Sequence, residues 1–458
     1  MNKVLYHIKE TVNRFIFILL TTITRGFEIR RVSRCNAEFS NLLKSTGIFK
    51  VQDSELKLYQ HLRDIESRYD KGDYLSVVAE KTIIFKELYS SYQLDPRYFP
   101  PKLAPIWCGP VGHESLIGAL LLGVKYDLIS PGIRQVVSPS TKQQSHFFSH
   151  LRDKIDIKFS TYPDLDLSKF PSQIPIYEDI QLWKTINGFE DLYQILDKVF
   201  KLYSDDQETL YFKFSEADKD HYYKKLVELG LPRNSWFVVL HVKETITGSG
   251  IRSASIKNFQ KASEYVISQG GWIIQVGFEN STKISLTKNY INLTGSTIDH
   301  CNLHQFVLSE AKFFLATLSG LVTAAALYKT PTLVTNSISL GRSTLSYPNT
   351  RYLPKSLINI KSNYKLTLND ILNSKASQGD LNEKELLEND LYLEENTENE
   401  IHKATIDFTN RLLGGTSQDK IASELVAKAL AIRSRFKLTT AGDFSESYLL
   451  NNPKWLDL

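Results

Sequence analysis

Two cations stand close together in "LHVKETITGSGIRSAS", residues 240–255. The stretch leaves the apolar run "FVVL", passes His241, Lys243 and Glu244, and enters a polar loop that carries Gly248, Gly250 and Arg252. Lys243 and Arg252 suit the neutralisation of a diphosphate, because charge-assisted hydrogen bonds to phosphate oxygens are strong and glycines let a ligand approach the backbone. A solvated loop that carries basic residues is the plain alternative.

A second candidate lies in "FFLATLSGLVTAAALYKTPTLVTN", residues 313–336. An apolar run breaks on Thr317, Leu318, Ser319 and Gly320 and becomes an Ala-rich helix. Free N–H groups and the helix dipole make such a start an anion site. Gly320 would let a phosphate reach the backbone, and Thr317 and Ser319 add hydroxyl donors. Ordinary N-capping by Ser319 is the competing reading.

The third is "GPVGHES". Gly109 and Gly112 form a turn before a helix, where an acceptor could come close to the backbone. His113 and Glu114 follow, at the place where a general base would be useful. His113 as a helix-start residue without chemistry stays open beside that. "DHCNLH" holds Asp299, His300, Cys301 and His304, with the two histidines one helical turn apart. A fourth ligand and a base at fixed spacing are missing, so ordinary helix-start residues are the better reading. There is no phosphate-binding GxxxxGK[ST] loop, no GxSxG elbow and no paired CxxC.

Alternating elements must position these residues. "WFVVLHV", "WIIQVG", "YINLTG", "KFFLAT" and "TLVTN" read as five strands. "SIKNFQKASEYVISQGG" reads as an amphipathic helix closed by paired glycines, and "HCNLHQFVLSEA" as another that Asp299 can cap. Such alternation predicts a mostly parallel sheet with helices on both faces. Residues 46–98 and 188–228 read as helical. "APIW", "QVVSPS" and "IPIYEDI" are weaker strand candidates. The acidic stretch "ELLENDLYLEENTENE" is expected to be a solvated helical or loop segment, and "SELVAKALAIRSRF" an amphipathic helix.

The 458 residues give room for two or three domains, and 42% apolar with 23% charged residues is a globular balance. The net charge of +4 calls for no polyanionic partner such as nucleic acid. Cys35, Cys108 and Cys301 are too few and too scattered for a disulfide framework, so a reducing cytoplasm is expected. The start, "VLYHIKETVNRFIFILLTTI", puts Leu5, Ile8, Val12, Phe15, Ile16, Leu19 and Ile23 on one helical face, followed by Arg25, Arg30, Arg31 and Arg34. Its uninterrupted apolar part is too short to cross a bilayer. Residues 1–34 therefore either lie on an anionic membrane surface or dock on their own protein.

From about residue 200 to 365 the chain resembles a family of bacterial glycosyltransferases found in surface-polysaccharide loci. "LVELGLPRNSWFVVLHVKE", "IKNFQKASEYVISQGGWIIQVG", "AKFFLATLSGL", "TPTLVTN" and "YLPKSL" carry the likeness, and "SESYLLNNPKW" is similar to the family's tail. Where the family has Arg in His-Val-Arg-Glu, this chain has Lys243, which keeps the charge and loses the bidentate fork. The resemblance implies an α/β fold of GT-B type, like that of heptosyltransferases and fucosyltransferases. Two Rossmann-type doubly wound domains would face a cleft, with helical N-terminal and C-terminal extensions. The implied layout is 1–45 amphipathic basic segment, 46–100 helical extension, 101–228 acceptor domain, 229–365 donor domain, and 366–458 acidic segment and terminal helices.

The resemblance also implies a nucleotide-sugar co-substrate, no resident cofactor and no catalytic metal. The acceptor would be a surface-polysaccharide or lipid-linked glycan, reached from the cytoplasm or the inner face of its membrane. Donor and phosphate binding would fall to His241, Lys243, Glu244, Arg252, Gly277, Thr317, Ser319, Gly320 and Asn336. A nucleotide-sugar epimerase of the same fold and a non-catalytic glycan- or partner-binding protein remain open.

Overall fold

The computed structural model describes residues 182–185, 188–206, 212–244, 250–277, 281–295, 298–338, 340, 347, 349–374, 383–413, 420–436 and 442–457, with 115, 118–119, 122–123, 125–128, 136–137 and 160–161 before them. All belong to one compact unit, Asp70–Gly72, Pro96–Tyr162 and Leu182–Leu458. The N-terminal basic segment, the helical stretch 46–98, "APIW", "IPIYEDI", Gly109, Gly112, His113 and Glu114 lie outside the described residues.

The centre is a seven-stranded parallel sheet. Its strands are β1 (Phe237–His241), β2 (Trp272–Gln275), β3 (Tyr290–Asn292), β4 (Phe313–Thr317), β5 (Thr332–Ser337), β6 (Thr350–Pro354) and β7 (Asp443–Phe444). The spatial order is β3-β2-β1-β4-β5-β6-β7. Strands buried on both faces read as continuous apolar runs. In β1, β4 and β5 every residue is buried.

The order reverses between β1 and β4. From β1 the chain winds outward through β2 to β3, then returns to the centre and winds the other way. Right-handed crossovers put the helices of the two halves on opposite faces. Helix α3 (Gln260–Ser268) packs on β2 and on α6 (Glu398–Leu412), whereas α4 (Ile298–Glu310) packs on α5 (Gly320–Leu327) and α2 (Glu216–Glu228). Helix α1 (Leu192–Asp205) is tied to the second group: the Tyr203 hydroxyl donates to the Leu327 carbonyl at 2.7 Å, and the Phe200 and Tyr347 rings meet edge to face.

The helix ends follow local rules. After α3, the N–H of Gly270 bonds to Ile267 and that of Gly271 to Val266, a Schellman pair with Gly270 at φ +82°. Gly271 has a different reason to be glycine, since a Cβ there would sit 2.5 Å from the Trp236 ring. Helix α5 closes the same way through Lys329 and Thr330, yet Lys329 is not glycine although its φ is +56°. Its ammonium lies 4.3 Å from the centre of the Tyr203 ring and bonds to the Asp206 carbonyl, which holds that conformation.

One expectation changes and one is refined. Residues 188–228 do not begin as helix: Gly188–Asp191 pairs antiparallel with Leu182–Thr185, and α1 starts only at Leu192. The acidic stretch is solvated as expected, helical at Glu383–Glu388, but it also contributes a strand. Leu391–Glu394 pairs antiparallel with Ser356–Asn359, which pairs in turn with Tyr364–Lys365. Thr397 and Glu400 then form a capping box for α6, which buries Ile401, Ala404, Thr405, Phe408 and Thr409. The expected C-terminal helix is α7 (Lys420–Arg435). Its buried Arg433 donates to the Gly442 carbonyl beside β7, and Trp455 packs on Phe444 and Tyr448.

Candidate functional site

In an open doubly wound sheet, ligands bind beyond the carboxyl ends of the strands where the order reverses. Here that place is the end of β1, with His241, Lys243 and Glu244, beside the end of β4, with Thr317, Ser319 and Gly320. The strands are in register, Leu240 beside Leu315 and His241 beside Ala316. Beyond them the Lys243 N–H donates to the Thr317 hydroxyl at 2.8 Å. The cation-bearing turn and the elbow thus share a hydrogen bond.

The loop after β1 is pinned at its base. The Ala254 N–H donates to the Lys243 carbonyl at 3.0 Å, and Glu244 Oε1 accepts from the Ile256 N–H at 3.1 Å. Glu244 therefore closes the loop through Oε1. Arg252 ends a short 3-10 turn, Gly250–Arg252. Lys243 and Arg252 are both exposed, and among the described residues neither has an ion-pair partner. Burial of its stem, and then the charge of Arg252, lower the Lys243 pKa from its usual 10.5. Two like charges held together are a cost that an anion would relieve.

The elbow has the backbone of a helix start. Ser319 is extended (φ −152°, ψ 170°), and its side chain makes no capping hydrogen bond. Its hydroxyl oxygen is buried and has no hydrogen-bond partner among the described residues. Simple N-capping by Ser319 is thus not what the geometry contains. The first turn of α5, opened by Gly320, keeps N–H groups that the helix itself cannot satisfy.

Other expected residues take different work. Thr317 is fully buried and accepts from Lys243, so it positions the turn. His241 is buried, with Nδ1 3.2 Å from the Val276 carbonyl, which can only accept. The proton is therefore on Nδ1. Burial lowers the pKa of His241 from 6.5, opposed by the bond to Val276. Gly277, at φ +156°, leaves the space between: a Cβ there would meet Ser281 Oγ at 2.8 Å and His241 Nδ1 at 3.8 Å.

Asn336 is the clearest correction among the phosphate-binding candidates, because it is fully buried. It has φ +53° and occupies the irregularity where Leu353 pairs with Thr335 but Pro354 pairs with Ser337. Asn tolerates this conformation better than most residues. Its N–H donates to Asn396 Oδ1 at 2.6 Å, and the Asn396 N–H donates to Asn336 Oδ1 at 2.9 Å.

Sequence reasoning missed the supports. Buried Lys355 donates to the Ser253 carbonyl at 2.7 Å. Glu395 accepts from the Ser255 N–H at 3.0 Å, and Asn396 donates to the Pro354 carbonyl at 2.7 Å. The only local signal was the capping box just after Asn396. Of the rejected metal candidates, His304 is bonded to the Leu293 carbonyl. Among the described residues no group of three or more His, Cys, Asp or Glu comes together, and no helix is long and apolar enough to cross a membrane. A cavity of about 510 Å³ lies near the opposite ends of the strands, beside Leu333 and Arg351. Of its charged groups, Arg351 pairs with Asp443 and Arg411 with Glu446, and Asp407 lines it as well.

No protein-family model and no protein of curated function matches the chain. Several solved structures are similar over part of it, among them the following three. A glycosyl transferase family 9 protein from Veillonella parvula is 11% identical over 35% of this chain and 48% of its own, with a TM-score of 0.28. The E. coli ADP-heptose LPS heptosyltransferase II is 14% identical over 60% of this chain and 79% of its own, TM-score 0.28. The UDP-GlcNAc 2-epimerase of Methanocaldococcus jannaschii is 12% identical over 59% and 78%, TM-score 0.26. The chain spans about half the length of the Veillonella protein.

Proposed function

We propose that the chain is a glycosyltransferase that moves a sugar from a nucleotide-sugar donor to a hydroxyl of a surface-polysaccharide or lipid-linked glycan. The observation that carries this reading is the cation pair, Lys243 and Arg252, which has no ion-pair partner among the described residues and lies beside the start of α5. A leaving nucleoside diphosphate carries the charge that such a site lacks.

In the reaction, the acceptor oxygen attacks the anomeric carbon, and the bond from that carbon to the phosphate oxygen breaks. The acceptor proton passes to His113 or Glu114. The negative charge released on the diphosphate meets Lys243, Arg252 and the N–H groups near Gly320. In this reading the anion is met by side chains and backbone without a metal, and no resident cofactor takes part. The protein would work in the cytoplasm or against the inner face of its membrane, with two Rossmann-type domains around the donor and acceptor.

A thermal-shift screen with UDP, GDP, ADP and CDP tests the reading. A ligand that binds only the folded state adds about 2.7 kcal/mol of stability at a hundredfold excess over its Kd. One nucleotide should raise the midpoint, and R252E should abolish the rise while keeping the unliganded midpoint. No rise with any of the four, for folded protein, would sink it and favour a non-catalytic glycan-binding role. Turnover of a nucleotide sugar without an acceptor would favour an epimerase.

A further inference from the structure

Lys243 and Arg252 are exposed and close enough for the charge of one to act on the other. Like charges move apart unless the chain holds them together. The segment that follows Arg252 is held at four consecutive residues. The Ser253 carbonyl accepts from the Lys355 ammonium at 2.7 Å, and the Ala254 N–H donates to the Lys243 carbonyl at 3.0 Å. The Ser255 N–H donates to Glu395 Oε2 at 3.0 Å, and the Ile256 N–H to Glu244 Oε1 at 3.1 Å. Arg252 itself points to solvent, while Ile251 before it and Ser253 after it are buried.

Two of these four holds come from far along the chain, and both are rooted in the core. Lys355 directly follows β6, and its own N–H donates to the Ser337 carbonyl at the end of β5, at 2.9 Å. Glu395 directly precedes Asn396, which is locked to Asn336 by two hydrogen bonds and to the Pro354 carbonyl by a third. Asn258 fastens the same corner by donating to the Asn396 carbonyl at 3.2 Å. Lys355 and Glu395 each set an ionised group on a backbone group, which is the stronger kind of hydrogen bond.

From this geometry we infer that Lys355 and Glu395 are positioning residues for the anion site: they grip the chain just past Arg252 and keep its guanidinium beside Lys243, where both cations meet one diphosphate. Neither touches the ligand, and each acts through Arg252. This rests on the nucleotide-sugar reading above.

Glu395 tests the inference because charge and positioning pull in opposite directions. Removing a carboxylate near an anion site should, by charge alone, tighten the anion. Removing a hold on Arg252 should loosen it. The probe is whichever of UDP, GDP, ADP and CDP the natural protein binds, titrated calorimetrically into the full chain. E395A should raise its Kd roughly three- to tenfold, the worth of one hydrogen bond. E395Q keeps an acceptor oxygen for the Ser255 N–H and should restore most of the loss. In an R252A background E395A should change Kd no further, since the residue it acts through is gone. Glu395 is only partly buried, so E395A should keep the fold, which an unliganded melting curve checks. K355M, where it folds, should repeat the pattern, with a loss in the natural protein and none in R252A. Tighter or unchanged binding by E395A overturns the positioning role, and so does an equal loss with and without Arg252. In those cases the natural protein still binds its nucleotide, and the reading beneath survives. A natural protein that binds none of the four overturns both.

Discussion

The Lys243 N–H donates to the Thr317 hydroxyl over 2.8 Å, so β1 and β4 are joined just where the chain turns away from both. Thr317 is fully buried, and an amide left without its acceptor there costs about 1–3 kcal/mol. T317V, which keeps the shape, should lower stability by that amount in urea denaturation and weaken nucleoside-diphosphate binding. T317S should restore both. An unaltered urea midpoint in T317V would mean that the bond does not hold the turn.

Lys243 is one of the two exposed cations beside the elbow. An ammonium meets phosphate as a point charge, whereas a guanidinium can meet it with two parallel bonds. K243R should therefore bind the preferred nucleoside diphosphate at least as tightly as the natural protein. K243A should bind it about tenfold more weakly, the loss of one charge-assisted bond. Calorimetric titration decides. Wild-type affinity in K243A would remove Lys243 from the site.

Asn336 and Asn396 exchange two hydrogen bonds across sixty positions of sequence, inside the core. Residues that share a bonded network show coupling energies of about 0.5–3 kcal/mol. N336A and N396A should each destabilise the protein, and the double variant should cost less than the sum. Strict additivity in a double-mutant cycle would show that the pair is not a unit.

That pair marks the limit of what sequence makes legible. Five strands stand out because burial on both faces leaves apolar runs such as Phe237–Leu240 and Phe313–Ala316. The glycines after α3 were equally readable, since a helix end needs them locally. Strand β6 was hidden by Arg351 and by its terminal Pro354, and β7 by having two residues. Asn336 resembled a ligand residue because it closes a strand, while the irregularity that buries it depends on its pairing with β6. The cations and the elbow could be singled out separately. Their adjacency is a property of strand order, and Lys355, Glu395 and Asn396 carry no local mark of their support for the loop.

The sequence of residues 1–34 has apolar residues at helical spacing and five arginines. An interfacial helix gains affinity from buried apolar area and from attraction to anionic lipid. The full chain should co-sediment with vesicles that contain phosphatidylserine, less with purely zwitterionic ones, and a chain lacking residues 1–34 should remain in the supernatant. Equal binding by the shortened chain would rule the segment out as an anchor.

His241 gives stability a defined pH dependence. Burial lowers its pKa from 6.5 in the folded protein, so the unfolded chain binds the proton more readily. Its contribution is complete above the unfolded value and is lost as pH falls from there through the folded one. The midpoint in urea should fall as the pH drops from neutral through 6.5 and below. H241N keeps an N–H that can reach the Val276 carbonyl, at 3.2 Å from Nδ1 in the natural protein, but has nothing to titrate. It should flatten that part of the slope while leaving the neutral-pH midpoint close to the natural one. An unchanged slope in H241N would place the acid sensitivity on other groups, the carboxylate of Asp407 excepted. Burial raises the pKa of Asp407, so its protonation favours the folded state and pulls stability the opposite way.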